Sequence, residues 1–122
     1  MNYARFITIL PEQYYSLVND SSELLHDFQH PISEITGALL VNQAYENPNA
    51  LRNTPFFGKK KLRCPSKDAI PLDIGPAKIT YLQERSNLSG ANISKYARAL
   101  IWDYLAMDKQ QRQAVLLNLK FK

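Results

Sequence analysis

One cysteine, four glycines and the absence of any long apolar run set the first limits on this chain. A lone thiol, Cys64, cannot close an intrachain disulfide, which fits a reducing cytoplasmic setting. No run of about 18 apolar residues occurs, so no membrane-spanning helix is expected. The apolar stretch near the N-terminus, Phe6 to Leu10, is too short for a secretory signal and lacks a small-residue cleavage site. The glycines form no phosphate-cradling pattern. Nucleophile motifs around serine or cysteine are missing, and the acids show no spacing that suggests catalytic carboxylates. The chain is therefore expected to be neither an enzyme nor the holder of a cofactor or metal ion.

Basic residues are scarce in one region only. Residues 1–50 hold a single base, Arg5, against six acids, a net charge of −5, whereas residues 51–122 hold fourteen bases against five acids, a net +9. The basic half points to a polyanionic partner and the acidic half to something else. With 122 residues, 45% hydrophobic and 21% charged, one soluble domain is expected. No internal repeat or low-complexity tract stands out.

The pattern predicts a mostly α fold. A short strand or arm over 4–10 carries Phe6, Ile7 and Ile9. Pro11 suits the first turn of a helix over 11–28, and Pro31 opens the next, through about Glu46, with Ile32, Ile35, Leu39 and Leu40 as its apolar stripe. Residues 47–75 are Pro-rich and basic, with Lys59, Lys60, Lys61 and Arg63 clustered; they predict a loop containing a small hairpin, Thr54–Phe57 against Leu62–Cys64, or an arm ordered by its partner. A helix from Pro76 should stop near Ser86–Asn87, and Ser89 should cap a long helix ending near Met107. Asp108 followed by Gln111 marks a second cap and a final helix with Val115, Leu116 and Leu119. Three parts of one domain result: acidic helices over 1–46, the basic loop over 47–75, and basic helices over 76–122.

Two other groups read as structural. His26 and His30 lie four apart, but the turn before Pro31 breaks their shared face, so solvent-exposed or locally bonded histidines are expected rather than a metal site. Trp102, beside Ile101, Tyr104 and Leu105, belongs to a core or an interface.

The segment from Leu82 to Ala97 resembles the helix-turn-helix of phage-repressor-type regulators. Ile79, Leu82 and Ile93 would pack the two helices, Asn87 would take the left-handed turn position, Leu88 would plug the angle and Ser89 would cap the second helix. Gln83 departs from the pattern, standing where the family has a small residue. The resemblance implies that Asn92 pairs with a base, that Lys95 and Arg98 reach guanine or phosphate, and that Ser89 and Ser94 lie at the same interface. Lys59, Lys60, Lys61 and Arg63 would add phosphate contacts. The order of strand 4–10 and the helices after it also resembles ribbon-helix-helix proteins, in which two chains pair strands and insert them in the major groove. That resemblance ranks second here, because the segment carries −5 and its first helix is long for the family.

The expected function is therefore that of a small sequence-specific DNA-binding regulator, a homodimer or other homo-oligomer occupying double-stranded DNA. Its acidic N-terminal half, rich in tyrosine, would serve dimerisation or a protein partner. The alternative is a protein-binding inhibitor or adaptor, of the kind mobile elements carry, acting on a nucleic-acid-handling complex.

Overall fold

Pro11 and Pro76 each open a helix, and each follows a short strand with buried apolar residues at alternate positions. The computed structural model describes residues 6–24, 30–46, 69–88 and 92–119, in the order β1 (Phe6–Ile9), α1 (Pro11–Leu24), α2 (Ile32–Glu46), β2 (Ile70–Asp73), α3 (Pro76–Leu88), α4 (Ile93–Leu105) and α5 (Lys109–Leu117). The fold is mostly α, as the periodicity predicts. The expected hairpin at Thr54–Cys64 lies outside the described residues.

The sheet does not come from that hairpin. β1 pairs antiparallel with β2, with Phe6 opposite Asp73, Ile7 opposite Leu72, Thr8 opposite Pro71 and Ile9 opposite Ile70. The end of the stretch expected to be loop is thus a strand. Ile7, Ile9, Leu72 and Ile74 are buried, and their alternation turns Phe6, Thr8, Pro71 and Asp73 to the opposite face.

The chain contains an internal repeat, which corrects the expectation of none. Strand, helix and helix occur twice, as β1–α1–α2 and β2–α3–α4. Ile7, Ile9, Pro11, Tyr14, Leu17 and Ser21 recur, at the same spacing, as Leu72, Ile74, Pro76, Ile79, Leu82 and Ser86. Ile32-Ser33, Ile35 and Ala38-Leu39-Leu40 recur as Ile93-Ser94, Tyr96 and Ala99-Leu100-Ile101. Cap bonds correspond as well: Tyr14 donates to the Leu10 carbonyl as Ile79 does to that of Gly75, and Ile35 to Pro31 as Tyr96 does to Asn92.

Packing follows the same two-fold logic. β1 lies against α4 of the other half, and β2 against α2; α1 contacts α4, α3 contacts α2, and α2 and α4 meet at the centre. Neither half can bury its apolar residues alone. Leu17, Leu39 and Leu40 from the first half and Leu82, Leu100 and Ile101 from the second share one core. Only α5 breaks the repeat. It is capped by the expected box at Asp108 and Gln111 and docks on α1.

Several boundaries differ from expectation for local reasons. α3 runs through Asn87 to Leu88, because the Asn87 amide oxygen accepts from Gln83 one turn earlier and supports the helix instead of ending it. Gln83 leans along the surface, also donating to Ser86, and does not enter a helix crossing. Leu88 is 75% exposed and plugs nothing. α4 starts at Ile93, capped by Asn92, whose side chain accepts from the Lys95 amide at 2.8 Å. Ser89 lies outside the described residues.

Leu17 and Leu82 fill corresponding places in one core. Each change to alanine should lower stability by about 2–5 kcal/mol, and both should move the same single transition in a denaturant titration followed by circular dichroism. Two separable transitions would contradict a shared core.

Candidate nucleic-acid interface

β1 has two edges, and only one is occupied by β2. On the other, the Thr8 amide donates to the Ser94 hydroxyl at 3.1 Å, and the Thr8 carbonyl accepts from the Arg98 guanidinium at 3.1 Å. Arg98 also donates to the Thr8 hydroxyl at 3.2 Å. Both backbone groups of Thr8 thus face α4, so Thr8–Pro71 is a pair without ladder bonds. That is where a proline costs no hydrogen bond.

Behind this contact, fully buried Gln13 donates to the Arg98 carbonyl at 2.9 Å and accepts from the Leu10 amide at 3.2 Å. One polar network therefore joins β1, α1 and α4, with the chain entering α1 held by the same side chain that grips α4.

This geometry corrects the recognition-helix reading. α4 is the most central helix of the fold, with Tyr96, Ala97, Ala99, Leu100, Ile101 and Tyr104 all buried. Arg98 is only 9% exposed and Ser94 is bound to β1, so neither is presented to a duplex. Buried residues alternate around so much of α4 that no long polar face is left to enter a groove. Asn92 is exposed, but its amide oxygen serves as the helix cap. Lys95, half-buried, lies in the first turn of α4. Lys59, Lys60, Lys61, Arg63 and Ser89 lie outside the described residues.

A different surface is presented by the outer face of the ribbon. Phe6 is 43% exposed, Pro71 is exposed, and Thr8 and Asp73 are half-buried. Asp73 accepts from the Gly75 amide at 3.0 Å and thereby shapes the turn into α3. Gly75 has φ +86°, a left-handed conformation in which a side chain would be strained. The signal for this surface was in the sequence: alternating apolar residues followed by proline, present twice.

A second polar cluster holds α5 in place. Asp20, nearly buried, accepts from the Tyr104 hydroxyl at 2.8 Å and from the Arg112 guanidinium at 2.9 Å, and Arg112 also donates to the Met107 carbonyl at 2.9 Å. Burial, and then the bond to Asp20, push the Tyr104 phenol well above its ordinary range. Lys109 pairs with Glu23 on the surface, and that hydrogen bond and charge hold the Glu23 carboxyl below its usual value. His30 pairs with Glu34 at 3.2 Å, and His26 lies outside the described residues. Among the described residues no group of three or more His, Cys, Asp or Glu gathers as a metal site, and no helix is long and apolar enough to cross a membrane.

Two outcomes are expected from these networks. Arg98→Ala should lower stability by about 1–3 kcal/mol, because it leaves the Thr8 carbonyl short of a partner in a half-buried site; an unchanged melting temperature would refute the anchoring role. A phenol whose folded value is raised contributes stability that is complete below pH about 10 and is lost as pH rises beyond it. Tyr104→Phe should therefore be less stable at neutral pH and show a shallower alkaline decline in a stability–pH series. An equal alkaline slope in both proteins would sink that assignment.

Comparison with protein-family models, with curated proteins and with solved structures finds no match to this chain.

Proposed function

We propose that this chain is a sequence-specific DNA-binding protein that reads duplex DNA with its two-stranded ribbon and acts by occupying its site. The observation that carries this reading is the antiparallel pair itself. One strand from each strand–helix–helix half lies over a common core and turns Phe6, Thr8, Pro71 and Asp73 outward. A two-stranded ribbon fits the major groove of B-DNA, and its outward side chains then reach base edges. The arrangement resembles ribbon-helix-helix proteins, with both strands supplied by one chain. A second chain is therefore not required to complete the ribbon.

Charge supports a division of labour. The outward ribbon face carries no cation among the described residues, so attraction to phosphate has to come from its surroundings. Lys95 in the first turn of α4 suits that role. The sequence supplies the larger share in Lys59, Lys60, Lys61 and Arg63. Phe6 suits apolar contact with a thymine methyl group, and Thr8 suits either base pair.

A protein-binding adaptor is the second reading, supported by Tyr15 and Tyr45, which stand 62% and 72% exposed on the acidic half. An open groove of about 690 Å³ between α2 and α3, with Val41, Tyr45, Ala77 and Tyr81 in its wall, adds to that surface.

A selection from a random duplex library, followed by anisotropy titrations over ionic strength, separates the two. The unaltered protein should enrich a site and bind it more weakly as salt rises. Phe6→Glu with Pro71→Glu should weaken binding at least tenfold while leaving the melting temperature within a few degrees, because both side chains are exposed. Failure to bind any duplex at low salt, or an unaffected double variant, would remove the ribbon reading.

A further inference from the structure

We infer that the preferred duplex is non-palindromic and is bound by one chain in one orientation; this rests on the ribbon reading proposed above. A ribbon made by two identical chains presents the same side chains at both ends, because the rotation that exchanges the chains exchanges the ends. Here the rotation relating the halves carries Phe6 onto Pro71 and Thr8 onto Asp73. The register sets Phe6 across from Asp73 at one end and Thr8 across from Pro71 at the other. One end therefore offers a ring beside a carboxylate, the other a hydroxyl beside a pyrrolidine. No single base-pair step suits both.

The flanks carry different charged residues as well. At the Thr8 end, Ser94 ties the first turn of α4 to β1, and Lys95 is the next residue. Around the Phe6–Asp73 end, Ile74 and the Lys78 side chain lie against Gly37 one turn into α2, and the turn before it carries Glu34, which pairs with His30. Glu34 and Lys95 occupy corresponding positions in the two halves. Phosphate meets a lysine in the first turn of α4 and a histidine-paired glutamate at the corresponding place in α2, so the two possible orientations on one site differ at the bases and at the backbone.

Fusion of the halves is what makes the asymmetry usable. A dimer of identical chains meets either strand of a site with equal affinity, whereas a single chain with unlike halves must choose.

The test uses the full chain and the site enriched from a random duplex library. Two further duplexes are built from it, one with its left half mirrored into a palindrome and one with its right half so mirrored. The enriched site should lack two-fold symmetry, both palindromes should bind at least tenfold more weakly, and sedimentation equilibrium should give one chain per duplex. Glu34→Lys should narrow the gap for the palindrome that repeats the half lying beside α4. A symmetric enriched site, equal affinity for either palindrome, or two chains per duplex would overturn this inference while leaving DNA reading by the ribbon intact. No enrichment of any site would overturn both.

Discussion

A four-residue strand has no internal partner for its backbone, and in this protein each of the two strands finds its partner only in the other half of the chain. Everything else follows from that pairing. It sets β1 across α4 and β2 across α2, which brings α2 and α4 together at the centre. An isolated pair of strands is marginal in water. What stabilises this one is the layer beneath it, where Ile7, Ile9, Leu72 and Ile74 close onto the leucines of four helices. Strand pairing and core burial are a single cooperative event, because the residues that pair on one face are separated by the residues that pack on the other.

The free edge of β1 shows how the same constraint decides which side chains are available for function. An unpaired strand edge invites another strand unless something covers it. Here α4 covers it with Ser94 and Arg98. A cation that looks, in sequence, like a phosphate contact is thereby turned into a structural donor. Its long aliphatic stem lies among buried neighbours while its head reaches a carbonyl and a hydroxyl. Charge in a sequence indicates that a partner for the charge exists; in this case the partner is inside the protein.

How much of this could be read from residues alone depended on the range of the interaction. Helix starts were legible because proline at the first turn, and aspartate with glutamine in a capping box, act over one turn. The two core stripes of α2 and α4 were legible from spacing. The repeat was not, because its identical residues, such as Leu17 with Leu82 and Ala38-Leu39 with Ala99-Leu100, are scattered among substitutions: Tyr14 stands for Ile79, Ile35 for Tyr96, Thr36 for Ala97. Residues 47–69 and a shorter link between α3 and α4 further shift the two copies out of phase. The ribbon resemblance ranks second on the length of its first helix and on charge, and the charge objection holds for half a ribbon made of the acidic segment alone. Its other strand comes from the basic half. The helix-turn-helix resemblance failed for a related reason, since two capped amphipathic helices fit either a groove-reading pair or a core pair, and only tertiary packing distinguishes them.

One position in the repeat shows how far the two halves of the chain have come to differ. Gly37 and Arg98 correspond. A Cβ at Gly37 would meet the Lys78 side chain at 2.9 Å and Ile74 at 3.1 Å, so the second strand and its helix sit close against α2. At the corresponding place in the other half, Ile9 and Gln13 replace Ile74 and Lys78, and the site takes an arginine whose carbonyl is held by Gln13 and whose guanidinium reaches Thr8. Within this chain the two places are not interchangeable. An arginine beside Ile74 has no space, and a glycine beside Thr8 leaves a half-buried carbonyl unsatisfied. Joining the halves lets each place take its own residue and replaces a concentration-dependent association with an intramolecular one. Each half is then free to fit its own strand, and the loss of symmetry in the core extends to the surface that the strands present.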